Sequence, residues 1–194
     1  MNYLAHCYLS CSDEDLLIGN VMTDFMRKKE EVNYSGRVLE GIYLHRAIDE
    51  FTDHHPASLE LRRILRKRHD KYAPVVVDLI WDRMLCLEWS KYSGSKLSDF
   101  VKPIYEVLLK RKAELPIKFR SKVENMINSN FLLAYSTEES MLSSLRWMDN
   151  RVKFPSMFQE AVLDIKENEQ RILNLFNVFF PDLIAKVDAI CNCE

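Results

Sequence analysis

The length, composition and charge of the chain restrict the classes of protein to which it can belong. Its 194 residues fit one domain with a sizeable core, and 47% hydrophobic with 29% charged residues is ordinary for a soluble globular protein. Only four glycines and six prolines are present, so β-turns and long loops are scarce and helices are favoured. The formal net charge of -2 excludes a chain that binds polyanions through its overall charge.

Targeting and redox signals are weak in this sequence. The stretch "MNYLAHCYLSCSDED" lacks the basic and apolar regions of a signal peptide, and no apolar run is long enough to span a bilayer. The five cysteines are odd in number and contain no CxxC spacing, which favours reduced thiols. We therefore expect a cytoplasmic protein without a membrane span, and the oligomeric state stays open.

The predicted elements, taken in chain order, begin with four helices. Ser12 has a capping-box pattern before residues 16–26, and Ser35 precedes the next helical stretch. Pro56 and Pro74 suit the first turns of the third and fourth helices. The valine run after Pro74 would by itself favour a strand, but apolar residues continue beyond it at helical spacing, which predicts a helix.

The second half of the chain contains further amphipathic stretches and no internal repeat. Pro103 is expected in a first turn or at a kink. The stretches span residues 97–115, 116–130, 136–152 and 158–180. We predict an all-α, single-domain helical bundle over residues 1–194, with roughly eight or nine helices and with the catalytic motifs in residues 1–90.

Polar residues spaced four apart occur repeatedly among apolar neighbours in the first 82 residues. Residues at this spacing share one face of a helix. A carboxylate on an apolar face needs a hydrogen-bond donor, a cation or a metal when it is buried. The pairs are Asn2/His6, Asn20/Asp24, His45/Asp49 and Asp78/Asp82, and Asp53 extends the third pair by one turn.

Histidine combined with several carboxylates from different helices is typical of a site for a hard or borderline divalent ion. Mn²⁺, Mg²⁺ and Fe²⁺ fit this set of ligands. Zinc fits it less well, because no cysteine cluster accompanies the pairs. Such a site would activate water and neutralise a phosphate, which is how metals act in phosphoester hydrolysis.

Simpler interpretations stay open for the individual residues. A histidine–aspartate pair at this spacing often only stabilises its helix, and His6 suits a core histidine as well as a ligand. Asp78 and Asp82 are like charges one turn apart, which favours an intervening cation or proton. His54 and His55 precede a proline and are expected to be ordinary surface histidines.

A dense run of positive charge follows these pairs. Arg62, Arg63, Arg66 and Lys67 (the basic stripe) would lie along adjacent lines of one helix, and His69 after them is expected to be solvated. The stripe is either a solvated face or a docking surface for an acidic partner. Aromatic residues are not interleaved with it, which argues against single-stranded nucleic acid.

Four short stretches together resemble a known family. They are "MNYLAH" at residues 1–6, "GNVMTDF" at 19–25, "GIYLHRAIDEFTD" at 41–53 and "PVVVDLIWD" at 74–82. Their order and spacing are similar to those of the acyl carrier protein phosphodiesterases, and several motifs in order are more specific than any one alone. This specific resemblance covers about the first half of the chain.

The resemblance implies a helical fold distantly like that of the HD phosphohydrolases, although Arg46 stands where the HD signature has aspartate. It implies a divalent-metal enzyme, with Mn²⁺ favoured and Mg²⁺ or Fe²⁺ as alternatives. The implied reaction hydrolyses the phosphodiester between 4'-phosphopantetheine and a serine of holo acyl carrier protein. The acidic carrier would then dock on the basic stripe.

From the pairs and the resemblance together we assign roles to individual residues. Arg46 and Asp53 are the predicted catalytic residues, with Arg46 contacting the phosphate. The predicted metal ligands are His6, Asp24, His45, Asp49, Asp78 and Asp82. Two rivals stay open: an HD-like phosphohydrolase acting on a nucleotide or another small phosphoester, and a non-catalytic helical binding protein whose carboxylates pair with arginines.

Overall fold

A computed structural model describes residues 1–154 and 156–191, and over these residues the fold contains eleven α-helices and no β-strand. The predicted all-α fold is confirmed. The helices are α1 (Tyr3–Tyr8), α2 (Glu14–Met22), α3 (Gly36–His54), α4 (Pro56–His69), α5 (Ala73–Leu87), α6 (Trp89–Tyr92), α7 (Leu97–Lys110), α8 (Ile117–Asn128), α9 (Glu138–Asp149), α10 (Ala161–Glu167) and α11 (Glu169–Cys191). The predicted helix after Pro74 is divided into α5 and α6, and the predicted helix over residues 158–180 is divided into α10 and α11. The described residues therefore form more helices than the eight or nine predicted.

The N-cap of α2 differs from the prediction by one residue. Ser12 has a left-handed backbone (φ 55°), whereas Asp13 has the extended backbone that an N-cap requires. The Asp13 carboxylate accepts hydrogen bonds from the backbone N–H groups of Asp15 and Leu16, both at 2.9 Å. The helix therefore begins directly after Asp13, whose carboxylate accepts from two of the backbone N–H groups of the first turn.

Helices α2 and α3 approach each other closely at two glycines. A Cβ atom on Gly19 would collide with the carbonyl oxygen of Val38, and one on Gly41 would collide with that of Leu16. Only hydrogen at these positions allows the two backbones to lie so near. This contact brings the end of α2 against the middle of α3, where two of the polar pairs lie.

The core between α4, α5 and α11 contains aromatic side chains. Trp81 of α5 is fully buried and stacks on Phe179 of α11, with ring centroids 5.1 Å apart. Its indole N–H donates to Ser58 Oγ at 3.0 Å, which satisfies the only polar atom of the side chain. Trp81 therefore anchors α5, which carries Asp78 and Asp82, in the core.

The expectations about thiols and membranes have separate outcomes. Cys7, Cys86 and Cys191 are free thiols, but Cys11 is disulfide-bonded, so the prediction of reduced thiols is wrong for Cys11. Cys193 lies outside the described residues.

None of the described helices combines the length and apolar character needed to cross a bilayer. The cytoplasmic location and the single-domain boundary stay predictions.

Candidate metal centre

Three segments of the chain bring four predicted ligands together. Helix α1 supplies His6, the 3₁₀ turn after α2 supplies Asp24, and α3 supplies His45 and Asp49; we call these four the histidine–carboxylate cluster. Asp49 lies between the imidazoles, with Oδ1 3.2 Å from His6 Nε2 and Oδ2 3.1 Å from His45 Nε2. Asp24 Oδ1 lies 3.2 Å from the same His45 nitrogen. Ligand atoms of His6, His45 and Asp49 all lie within 4.8 Å of one another.

Asn20 determines which nitrogen of each histidine faces the carboxylates. Its side-chain N–H₂ donates to His6 O at 3.0 Å and to Ser10 Oγ at 3.1 Å, so its Oδ1 is left to accept from His6 Nδ1 at 2.7 Å. Its backbone carbonyl accepts from His45 Nδ1, also at 2.7 Å. When neutral, both imidazoles therefore direct an Nε2 lone pair toward carboxylate oxygens.

These residues fit a divalent cation. A lone pair that faces a carboxylate is repelled unless a proton or a cation lies between them. The buried Nε2 of His6 makes no hydrogen bond among the described residues, although it lies 3.2 Å from Asp49 Oδ1. Imidazoles that donate Nδ1–H to a carbonyl or amide oxygen and present Nε2 are the common arrangement in metal sites. The donor set of two histidines and two carboxylates suits a borderline ion.

The charges within the cluster are strongly coupled. Burial lowers the pKa of His45, but its contacts with Asp24 and Asp49 outweigh burial and raise the pKa to about 9. Burial raises the pKa of Asp49, but His45 and His6 outweigh it, and the pKa lies well below its usual range. Burial lowers the pKa of His6. A proton on His45 Nε2 therefore lies between the carboxylates of Asp24 and Asp49 in the metal-free protein.

The cluster opens to solvent on its carboxylate side. The His6 and His45 side chains are buried, whereas Asp24 and Asp49 remain 50% and 43% exposed. The two imidazole rings stack with centroids 4.2 Å apart. A ligand can therefore approach the carboxylates without any rearrangement of the imidazoles.

Asp78 and Asp82, also predicted as ligands, have other partners in the structure. Asp82 is buried and accepts hydrogen bonds from the N–H groups of Leu4 at 3.0 Å and Ala5 at 3.4 Å, near the N-terminus of α1. Burial raises its pKa to about 7. Asp78 Oδ1 lies 3.0 Å from the Met1 amino group, and burial raises the pKa of Asp78. Their role as ligands stays a prediction.

The two predicted catalytic residues are each paired with a residue of opposite charge. Both Nη atoms of Arg46 donate to the Glu31 carboxylate, at 3.0 and 2.5 Å. Asp53 is exposed, and its Oδ1 accepts from Arg62 Nη2 at 2.7 Å. Neither contact reaches the histidine–carboxylate cluster, and the catalytic roles of both residues stay predictions.

The rest of the basic stripe lies on the surface of α4. Arg63, Arg66 and Lys67 are exposed. His69 at the end of the same helix is buried, and its Nε2 lies 2.7 Å from Asp164 Oδ2. The prediction that His69 is solvated is therefore wrong, because packing of α10 against this end of the helix supplies a buried carboxylate.

The neighbouring histidines before Pro56 differ from each other. His54 is exposed, as predicted. His55 is buried and caps α4, because its Nδ1 accepts from the N–H of Ala57 at 3.2 Å while its Nε2 lies 3.2 Å from Asp182 Oδ2. The prediction of a surface histidine is wrong for His55, whose capping role depends on α11 folding back beside it.

A cavity of about 450 Å³ adjoins the cluster at Asp24. Tyr3 and Phe25 line one part of it, and Lys118 and Lys122 of α8 line another. No role was predicted for α8 from the sequence. Two lysines four residues apart were the only local signal, and exposed lysines at that spacing occur on many helices.

The fold and the site define an all-α protein with a candidate divalent-cation centre built from histidine and aspartate. A family model described as "Acyl carrier protein phosphodiesterase" matches residues 1–183, and the chain belongs to this family. The resemblance predicted from four stretches of the first half is thereby confirmed and extends through most of the chain.

Similar proteins cover nearly the whole chain. A protein named acyl carrier protein phosphodiesterase from Photorhabdus laumondii subsp. laumondii is 30% identical over 189 residues, 97% of this chain and 96% of that protein. Proteins with the same name from Yersinia enterocolitica and Escherichia coli O139:H28 are 27% and 28% identical over 187 residues, each covering 96% of this chain and 97% of theirs. No solved structure matches the chain, and the distant likeness to HD phosphohydrolases stays a prediction.

Proposed function

We propose that this protein hydrolyses the phosphodiester that joins 4'-phosphopantetheine to a serine of holo acyl carrier protein. The products are apo acyl carrier protein and free 4'-phosphopantetheine. The observation that carries the proposal is the convergence of His6, Asp24, His45 and Asp49 in one cluster of a chain that belongs to the acyl carrier protein phosphodiesterase family. Water adds to phosphorus, the bond from phosphorus to the serine oxygen breaks, and the serine leaves with a proton.

The histidine–carboxylate cluster would hold a divalent cation, with Mn²⁺ first and Mg²⁺ or Fe²⁺ as alternatives. When bound, such an ion supplies Lewis acidity, which lowers the pKa of water and offsets the charge that develops on the phosphate. His6 Nε2, His45 Nε2 and the Asp49 carboxylate are the donors nearest to one another, and Asp24 adjoins them.

The chain's own groups hold this arrangement in place. Asn20 orients both imidazoles through their Nδ1 hydrogens, and Asp82 anchors the start of the helix that carries His6. The low pKa of Asp24 and Asp49 keeps both carboxylates anionic at neutral pH. They therefore act as ligands and as acceptors for the hydrogens of water, rather than as proton donors.

Arg46, Asp53 and the basic stripe complete the proposal. Arg46 would exchange Glu31 for phosphate oxygens, because a guanidinium group binds carboxylate and phosphate with the same pair of N–H groups. Asp53, at the end of α3, would hold the Arg62 side chain of α4 in position through their ion pair. The exposed cations of the stripe would attract the acidic carrier over a distance of about 10 Å at ordinary ionic strength.

Incubation with holo acyl carrier protein and Mn²⁺, followed by intact-mass measurement of the carrier, tests the proposal. We expect loss of the phosphopantetheine mass, and we expect a chelator or Asp49→Ala to abolish that loss. Glu50→Ala removes an exposed carboxylate from the next position of α3 and is expected to retain activity. An unchanged carrier in the presence of folded, Mn²⁺-loaded protein would reject this substrate.

The same preparation separates the two rival functions. A nucleotide phosphohydrolase would release phosphate from a nucleotide panel and leave holo carrier intact. If the protein is a non-catalytic binding protein, Asp49→Ala would lower its melting temperature. Neither the unmodified protein nor Asp49→Ala would hydrolyse any phosphoester.

A further inference from the structure

The cavity beside Asp24 shares one wall with the histidine–carboxylate cluster. Asp24 lines the cavity, and its Oδ1 lies 3.2 Å from His45 Nε2. Tyr3 also lines it. Burial raises the pKa of Asp24, but His45 and, after it, Tyr3 outweigh burial and leave the pKa below its usual range. The cavity, about 450 Å³ in volume, therefore ends at the atoms proposed to carry the chemistry.

One side of this cavity is aromatic and anchored in the core. Phe25 stacks on the fully buried Phe119 of α8, with centroids 4.3 Å apart and planes within 4°. Tyr3 also stacks with Phe25, with ring centroids 6.0 Å apart. Met26 extends the apolar lining. Because both neighbours hold the Phe25 ring, this side is preformed and suits aliphatic and amide groups.

Most of the other lining residues are cationic. Lys118, Ser121 and Lys122 lie on one face of α8, since they are spaced three and four residues apart, and Arg27 joins them from the turn after α2. Lys122 Nζ lies 4.9 Å from the centre of the Phe25 ring, so the charge is directed over the aromatic side of the cavity.

These cations lack carboxylate partners within residues 1–154 and 156–191. Neighbouring cations do have them: Lys112 Nζ lies 2.6 Å from Glu124 Oε1, and Arg111 pairs with Glu114 and Asp15. Three cations against the single carboxylate of Asp24 give the lining of this cavity a net positive charge, which favours an anion. An anion with an apolar, amide-containing extension matches both the cationic and the aromatic residues of the lining.

We propose that this cavity binds the 4'-phosphopantetheine arm, with Lys118, Lys122 and Arg27 contacting its phosphate and with Tyr3 and Phe25 contacting its dimethyl and amide groups. The inference rests on the proposed function, because it takes the substrate from there. The volume lies within the range of about 300–1,000 Å³ that is usual for small-molecule sites. Lys118 and Lys122 thereby become specificity-determining residues of the second half of the chain.

An acidic segment of the carrier is the competing occupant, since its carboxylates would also meet three cations. The cavity favours the arm for two reasons. A surface helix of a partner protein would contact exposed lysines without using the aromatic side at Tyr3 and Phe25. The arm also carries the phosphorus that must reach the cluster beside Asp24, whereas a docking helix need not approach it.

Calorimetric titration of the full chain with Mn²⁺ present distinguishes the two occupants. The probes are 4'-phosphopantetheine, pantetheine without phosphate, and apo carrier without an arm. The test variant is Lys118→Ala/Lys122→Ala. Its control is Lys28→Ala/Lys29→Ala, which removes two exposed lysines of equal charge next to Arg27 that do not line the cavity.

We expect the test variant to bind 4'-phosphopantetheine at least roughly tenfold more weakly than the unmodified chain, because two charge-assisted contacts are lost. Binding of pantetheine and of apo carrier should be unchanged, and the control should match the unmodified chain. Unaltered binding of 4'-phosphopantetheine by the test variant would overturn the inference. So would an equal loss for apo carrier, which would assign the lysines to the acidic segment.

The inference and the proposed function can fail separately. Lysine-dependent binding of 4'-phosphopantetheine without hydrolysis of holo carrier would support the cavity and reject the reaction. Hydrolysis with an unchanged KM and unchanged 4'-phosphopantetheine binding in the lysine variant would support the reaction and overturn the cavity.

Discussion

Asn20 connects the two histidines of the candidate metal centre. It accepts from His6 Nδ1 through its side chain and from His45 Nδ1 through its backbone, while Ser10 and the His6 carbonyl hold the amide in place. Groups in this position orient the ligands and preserve their lone pairs for the ion. Asn20 was recognised in the sequence as half of a polar pair, but its connecting position depends on the meeting of α1, α2 and α3.

Asn20→Ala should therefore weaken binding of Mn²⁺ by about 10- to 100-fold, because the His6 ring loses the acceptor that fixes its tautomer. The measurement is calorimetric titration with Mn²⁺. Asn33→Ala removes an exposed amide and serves as the control. An Asn20→Ala protein that is folded and binds Mn²⁺ with unchanged affinity would contradict the assigned role.

His45 makes the stability of the metal-free protein depend on pH. Its folded-state pKa of about 9 lies above the ordinary value of 6.5, so its protonation stabilises the fold. This stabilisation is fully present below pH 6.5 and is lost as the pH rises through 9. The shift corresponds to about 3 kcal/mol.

Denaturant titrations of chelator-treated protein between pH 6.5 and 9 would measure this loss. The Met1 amino group also has a raised pKa and contributes in the same direction above pH 8, so His45→Gln is needed to isolate the histidine. We expect the variant to give a flatter profile, and we expect Mn²⁺ to restore most stability to the unmodified chain at pH 9. A slope unaffected by His45→Gln would contradict the assignment.

At the scale of elements, the close contact between α2 and α3 determines where the carboxylates lie. Gly19 and Gly41 have no side chain at the point where the helices meet, and any Cβ there would meet a backbone carbonyl. Backbone atoms cannot yield as the end of a flexible side chain can. The distance from Asp24 to His45 is therefore set by two glycines that contact no ligand themselves.

Gly19→Ala should lower the free energy of unfolding by about 1–3 kcal/mol or more, because an overpacked contact forces the helices apart. It should also weaken Mn²⁺ binding, since Asp24 moves relative to His45. Urea denaturation and calorimetry measure the two effects. Gly94→Ala is the matched control, because a Cβ at that position meets nothing within 4 Å. Equal stability of the two variants would show that α2 and α3 separate without cost.

At the scale of the whole molecule, positive charge is present on the surfaces of two helices, α4 and α8. The exposed residues Arg63, Arg66 and Lys67 lie on α4, while Lys118 and Lys122 lie on α8 at the cavity. The two groups serve different purposes in our proposals. The basic stripe attracts the acidic carrier protein from solution, and the α8 lysines hold the arm after docking.

Reversing the stripe should therefore affect encounter rather than chemistry. Arg63→Glu/Arg66→Glu is expected to raise the KM for holo carrier by roughly tenfold at low salt, with little change in kcat. The difference should shrink as salt screens the charges. Steady-state kinetics at two ionic strengths measure the change in KM. The control is Arg146→Glu/Lys186→Glu, which makes the same change of charge on α9 and α11. An unchanged KM at low salt would remove the docking role.

Much of the architecture followed from local patterns. Helical spacing predicted the all-α fold, and the i,i+4 pairs selected His6, Asp24, His45 and Asp49, because spacing along a helix determines which side chains share a face. The partners of Asp82 and Arg46 could not be derived in this way. A carboxylate at helical spacing looks the same whether it meets an imidazole, a backbone amide or an arginine.

The sequence by itself therefore determined the helices and the chemical types available on their faces. Tertiary structure decided which faces meet: Asp49 faces two imidazoles, Asp82 caps α1, and His69 is buried against Asp164. The physical reason is that helix formation depends on neighbours three or four residues away, whereas a polar side chain is satisfied by whatever group another helix brings within about 3 Å of it.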